Sequence, residues 1–220
     1  MPDSGVCLRP TSPASFVLKE KRSEFIASLF PVASQEEARS AYDAVRREHF
    51  SATHNCPAWR TGFPRTAEFC SDDGEPGGTA GRPILGVLQR RSLCNALIVV
   101  TRYFGGVKLG VRGLIDAYAQ AAEGAAALAA VEESVLLSRV SLRCDYGHLA
   151  PLNRLIKGCG VLPARVTADY AEEINVSLLL TPACEKALSA ALSTYEGRAL
   201  LLAEPARGAS ELAAKLSGEV

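Results

Sequence analysis

The sequence predicts an α+β chain of two domains, the second a ferredoxin-like βαββαβ sandwich. Three observations predict it. At 220 residues, 48% apolar and 22% charged, the chain can build two small cores and is too apolar for disorder. Ala96 to Thr101 is apolar on both faces and leads through Gly105-Gly106 into a long alanine-rich stretch, the pattern of a buried strand feeding a closely packed helix. From Arg139 the pattern becomes strict alternation, with Val140, Leu142, Cys144 and Tyr146 pointing one way, which marks a half-buried strand.

Each element follows from its residues. Residues 1–15, with three prolines among small polar residues, read as a flexible lead-in. Phe16 to Lys19 and Ser23 to Val32 read as strands around a basic turn. Ser34 and Glu37 form a capping box, and Ala38, Ala41, Tyr42 and Val45 then repeat at helical spacing to about His49. Two strand-like stretches follow, His54 to Thr61 and Glu68 to Asp73. A short helix is predicted from Thr79 to Arg91, with Pro83 tolerated in its first turn. The alanine-rich helix spans about Leu109 to Ala130, and residues 131–138 read as the connection between domains. Beyond it come the Arg139 strand, a helix over Leu149 to Ile156, strands over Val166 to Tyr170 and Ile174 to Leu180, and a helix opened by Thr181-Pro182 and ended by Gly197. Leu200 to Ala203 is predicted as the last strand. The domains so read are 16–131 and 138–206, with 207–220 a tail.

Composition excludes several classes. Lys plus Arg equals Asp plus Glu at 24 each, which excludes nucleic-acid binding by bulk charge alone. The longest apolar run, Ala125 to Val131, holds seven residues, far short of the roughly 18 a spanning helix needs. With no leader pattern near Met1, the expectation is a cytoplasmic protein without membrane contact. Seven cysteines with no Cys-x-x-Cys pair argue against a disulfide framework and a zinc ribbon. Cys7, Cys94, Cys144, Cys159 and Cys184 read as small apolar fillers.

Three segments concentrate the chemistry. In Ser71 to Arg82, the carboxylates Asp72, Asp73 and Glu75 precede Gly77, Gly78, Thr79 and Gly81 at a helix entry. Exposed amides there suit an anion such as phosphate, or the carboxylates themselves stabilise the helix start. In Thr101 to Gly113, Arg102, Lys108 and Arg112 offer charge and Tyr103 and Phe104 offer stacking faces. The forty residues between Glu75 and Asp116 hold six bases, Arg82, Arg90, Arg91, Arg102, Lys108 and Arg112, and no acid. Pairing of the acids with these bases, Asp73 with Arg102 for instance, would neutralise part of that charge. The third segment, His54-Asn55-Cys56, places two potential ligands on one strand face. Cys70 with Asp72 or Asp73 would have to complete a metal site, and without a second paired motif no metal or other cofactor is assigned.

Lys21 to Ala27, His54 to Trp59, Asp72 to Leu85 and Thr101 to Gly110 together resemble the IMPACT/YigZ family in order and spacing. The family's usual continuation, Thr-Gly-Gly with an arginine further on, is replaced by Val111-Arg112-Gly113 and Asp116. Arg112 is the candidate substitute for that arginine. The resemblance implies an N-terminal α+β domain similar to a ribosomal-protein fold and to domain IV of elongation factor G, followed by the ferredoxin-like domain of bacterial members. It also implies a place in translational control. Three functions follow. One is a non-enzymatic translation-associated regulator that binds RNA or the ribosome through the basic, glycine-rich surface. Another is a protein-interaction regulator without RNA contact. The third is an enzyme acting on a phosphorylated substrate at His54, Asp72, Asp73 and Glu75, for which no complete nucleophile, base and orienter set is found.

Overall fold

A computed structural model describes residues 6–63, 66–194 and 211–214. The chain divides into two compact units, one of Cys7–Glu133 and one of Ser134–Val220 with Met1–Val6.

The first unit opens with β1 (Val6–Pro10), β2 (Ala14–Glu20), β3 (Ser23–Pro31), α1 (Gln35–Glu48), β4 (His54–Thr61) and β5 (Ala67–Cys70). It continues with α2 (Gly81–Arg90), β6 (Ala96–Tyr103) and α3 (Gly110–Leu128). Its antiparallel sheet runs β2-β3-β6-β4-β5. Both faces of β6 are buried: Ala96, Ile98 and Val100 join the core under α2 and α3, and Leu97 and Val99 join Trp59, Val32 and Val45 under α1. The alanines of α3 act as the sequence implies. Ala117, Ala121, Ala122 and Ala125 are buried against the sheet, and at Gly124 a Cβ would lie 2.3 Å from the Phe16 ring.

Two features depart from the sequence reading. Val6–Pro10 is a strand rather than part of a loose lead-in, held by Cys94 N–H donating to Leu8 O at 2.8 Å and by a Cys7–Cys94 disulfide. Those two cysteines are therefore paired and not simple fillers. Residues 131–138 contain the division between the two units, at Glu133 and Ser134, but as a strand and not a loop. They form the first half of β7 (Val131–Cys144), with Val135 and Leu137 buried. Glu132, Glu133, Ser134 and Ser138 imitate a linker's composition, but no glycine or proline interrupts the strand.

The second unit adds α4 (Leu149–Gly158), a 3-10 turn (Pro163–Arg165), β8 (Val166–Tyr170), β9 (Ile174–Leu180), α5 (Pro182–Thr194) and β10 (Glu211–Ala214). In the ferredoxin-like unit β9 lies between β7 and β8, and β10 also pairs with β7, which gives the order β10-β7-β9-β8. Val140, Leu142 and Cys144 of β7 and Ile174, Val176, Leu178 and Leu180 of β9 form its core with Leu152, Ile156 and Leu188 from the two helices. The strand expected at Leu200 to Ala203 lies outside the described residues. Glu211–Ala214, within the stretch read as a tail, forms a strand that pairs antiparallel with Ser134 to Leu137 of β7. No described helix is long and apolar enough to cross a membrane.

Candidate functional site

The antiparallel register of β4 and β6 sets His54 opposite Arg102. The loop after β5 then folds over the two. Its tightest part is a β-turn in which Glu75 N–H donates to Asp72 O at 2.9 Å, with Asp73 (φ 45°) and Gly74 (φ 89°) both left-handed. Asp and Gly are the residues this mirror-image turn favours.

The turn drops the Glu75 carboxylate into the protein, where its Oε1 accepts from Arg102 Nη1 at 2.6 Å and from the Tyr118 hydroxyl at 2.8 Å. Both side chains of the ion pair are almost fully buried, at 6% and 3% exposure for Arg102 and Glu75. The rings of Phe25 and Phe104 flank the Arg102 guanidinium, each centroid 5.4 Å from its carbon. Arg102 Nε has no hydrogen-bond partner among the described residues. His54 Nδ1 donates to Asp73 O at 2.7 Å, which turns Nε2 toward Glu75 Oε1 at 3.9 Å. Cys56 completes the cluster, its Sγ 3.1 Å from Asp72 O and 3.5 Å from the Tyr118 hydroxyl oxygen. Burial, reinforced by the nearby acids, pushes the Cys56 thiol up to about 12. Burial likewise raises Tyr118, with Cys56 and Glu75 adding to the effect. Both are neutral at physiological pH, so Cys56 is not an activated nucleophile.

Asp72 takes the place the sequence reading offered to an external anion. Its carboxylate accepts backbone N–H bonds from Gly78 (2.8 Å), Ala80 (3.0 Å) and Gly81 (2.8 Å) at the start of α2. The amides of the Gly77 to Gly81 cradle are thus largely satisfied from within. Burial pushes the Asp72 carboxyl up, but the three N–H bonds and nearby Arg82 outweigh it and hold it below the usual carboxylate range. A lowered folded-state value means that its contribution is fully present above the unfolded value of about 3.9 and is lost as pH falls through the folded value. Asp72→Ala should therefore cost about 2 kcal/mol at pH 7, and the gap from the parent should narrow below about pH 4. Urea unfolding at pH 7 and pH 3, followed through Trp59, measures this; an equal gap at both would contradict it.

The remaining candidates separate into two groups. Asp73 accepts the Asn55 N–H on Oδ2 at 2.7 Å, and the buried Thr79 donates its hydroxyl to Pro76 O at 2.7 Å, so both brace the loop. Tyr103 shares a 2.9 Å hydrogen bond with His49 Nδ1. Arg102 is an internal charge whose partner is Glu75, not a surface cation. Arg82, Lys108 and Arg112 are exposed, with Arg112 Nε 3.1 Å from Asp116 Oδ2. Gly77 faces open space. Among the described residues no three His, Cys, Asp or Glu side chains gather in a metal-holding arrangement. Tyr118 escaped the sequence reading, although a lone hydroxyl-bearing aromatic amid the alanines of the long helix was the available signal.

The Impact N-terminal domain model matches residues 21–126, the span that holds this whole cluster. IMPACT family member YigZ of Escherichia coli K12 is 33% identical over 198 residues, covering 89% of this chain and 96% of its own length. IMPACT family member YvyE of Bacillus subtilis 168 is 38% identical over 155 residues, 70% of each chain. A solved crystal structure described as a hypothetical protein superposes with a TM-score of 0.60 at 30% identity, covering 96% of this chain and 98% of that one. With such identity sustained over both units, the chain belongs to the IMPACT family.

Proposed function

We propose that this protein is a cytoplasmic, non-enzymatic regulator of translation that binds RNA or the ribosome through the segment joining β6 to α3. One observation carries the reading. Phe104, Val107 and Val111 are exposed (46%, 38% and 61%), in the same nine residues as the exposed cations Lys108 and Arg112. Aromatic faces beside cations suit unpaired bases and their phosphates. The Arg112–Asp116 pair is solvent-exposed and worth well under about 1 kcal/mol, so it leaves Arg112 available to a phosphate. The buried Glu75–Arg102–Tyr118 cluster serves this reading as the rigid floor from which the segment emerges. Family membership supplies the link to translational control.

The same exposed apolar residues favour a second reading, a protein partner. Fluorescence anisotropy with a labelled single-stranded RNA across a salt series separates the two. RNA binding should weaken with salt, and Lys108→Ala/Arg112→Ala should flatten the log–log slope by roughly 0.7 for each lost phosphate contact. A double variant with the parent's affinity and slope removes the RNA reading. Parent protein that ignores the RNA but retains a nuclease-resistant protein partner from extract supports the second.

A further inference from the structure

Outside the IMPACT-matched region, the second unit brings two thiols to one recess. Cys159 sits at the end of α4, its N–H donating to Leu155 O at 3.0 Å. Cys184 lies in the first turn of α5, its N–H donating to Thr181 Oγ1 at 3.3 Å. Both are free and partly exposed, and both pack on the same apolar core. Together with Val161, Leu162 and Leu179 they line a recess of about 300 Å³. At Gly160, the residue next to Cys159, a Cβ would lie 3.9 Å from Cys184 Sγ. Cys184 Sγ therefore packs against the residue that follows Cys159, and both cysteines line one recess. Their proximity is also felt electrostatically: burial raises the Cys159 thiol first, and the charge of Cys184 raises it further.

We propose that Cys159 and Cys184 are a redox pair that closes to an intramolecular disulfide, tying the end of α4 to the first turn of α5. The oxidant is a low-molecular-weight disulfide. One protein thiol loses its proton and attacks the small disulfide, forming a mixed disulfide and expelling one small thiolate. The second protein thiol loses its proton and attacks the protein-bound sulfur, forming the Cys159–Cys184 bond and expelling the other. Two electrons pass from the protein pair to the small disulfide, and the two protons convert the expelled thiolates to thiols. The other free cysteines differ from this pair. Cys56 and Cys144 are buried, and Cys70 belongs to the first unit.

The full chain treated with oxidised glutathione, alkylated and digested with trypsin tests this. Cleavage after Lys157, Arg165 and Lys186 places the two cysteines on separate peptides, 158–165 and 166–186, with no other cysteine on either. The parent should yield those peptides joined by a disulfide that dithiothreitol reverses, with no glutathione retained on either. In Cys159→Ser, glutathione should persist on Cys184, because the thiol that would expel it is gone; Cys184→Ser should show the mirror result on Cys159. Glutathione retained at either position in the parent, or both cysteines recovered alkylated, would overturn the proposal.

Discussion

Arg102→Ala should destabilise the first unit by about 3 to 5 kcal/mol, because it leaves the Glu75 carboxylate buried without its countercharge. Glu75 is 3% exposed and retains only the Tyr118 hydroxyl at 2.8 Å as a close donor once the guanidinium is gone. Removing the acid instead, in Glu75→Gln, strands a guanidinium held between Phe25 and Phe104. It should cost a comparable amount. The informative variant is the double one, Glu75→Gln/Arg102→Met, in which neither charge remains and the flexible methionine fills the space between the rings. Burying neither ion avoids both desolvation penalties, so the double variant should lie well above either single one. Trp59 is the chain's single tryptophan and is buried in the first unit, so denaturant unfolding followed through its fluorescence reports on that unit. Additive losses would mean that the pair contributes as two independent side chains and not as a closed couple.

Two adjacent glycines should respond very differently to the same methyl group. At Gly105 a Cβ would meet the carbonyl carbon and oxygen of Arg22 at 2.0 Å. Those are backbone atoms, fixed in a turn whose two central residues, Lys21 and Arg22, are already left-handed (φ 44° and 68°). Neither side can yield cheaply. Gly105→Ala should therefore cost on the order of 4 kcal/mol or more and expose the β2–β3 turn to proteolysis. At Gly106 nothing lies within 4 Å of the added carbon, but φ is +83°. Gly106→Ala should cost only the conformational penalty, about 1 to 2 kcal/mol. Parallel melting curves decide the matter, and equal losses would mean that close approach to Arg22 is not what requires glycine at position 105.

What the sequence disclosed was mostly local. Ser34 and Glu37 can be read together because they are three residues apart. The structure shows Glu37 N–H donating to Ser34 Oγ at 3.2 Å, with the Glu37 carboxylate accepting from Ala33 N–H at 2.7 Å. The burial of β6 on both faces was likewise written in its unbroken apolar run. Pairings between distant segments were not legible. Asp73 and Glu75 are equally plausible partners for Arg102 on charge alone, and the choice between them is made by the left-handed turn at Asp73-Gly74, which carries Glu75 inward. Cys7 and Cys94 stand 87 residues apart, and an odd cysteine count gives no hint of which two meet. The start of β7 is hidden in the sequence for a different reason. Glu132, Glu133, Ser134 and Ser138 have the composition of a linker, and only the burial of Ser134, Val135 and Leu137 distinguishes the stretch from one.

The carboxylate of Asp72 competes with any solute anion for the glycine-rich loop. A solute anion must reach the start of α2 by diffusion, at whatever concentration the solution provides. Asp72 is tethered to the same loop, and a short tether presents its group at an effective concentration in the millimolar range or above. The loop is in this sense a receptor with its ligand covalently attached, saturated at any phosphate concentration that would only partly fill an empty cradle. In this chain the three N–H donors at the start of α2 are thus taken by one side chain. A relative that carries a neutral or shorter residue at this position would present the same three N–H donors to solvent, and its α2 would be stabilised by inorganic phosphate or sulfate where this protein is indifferent to them.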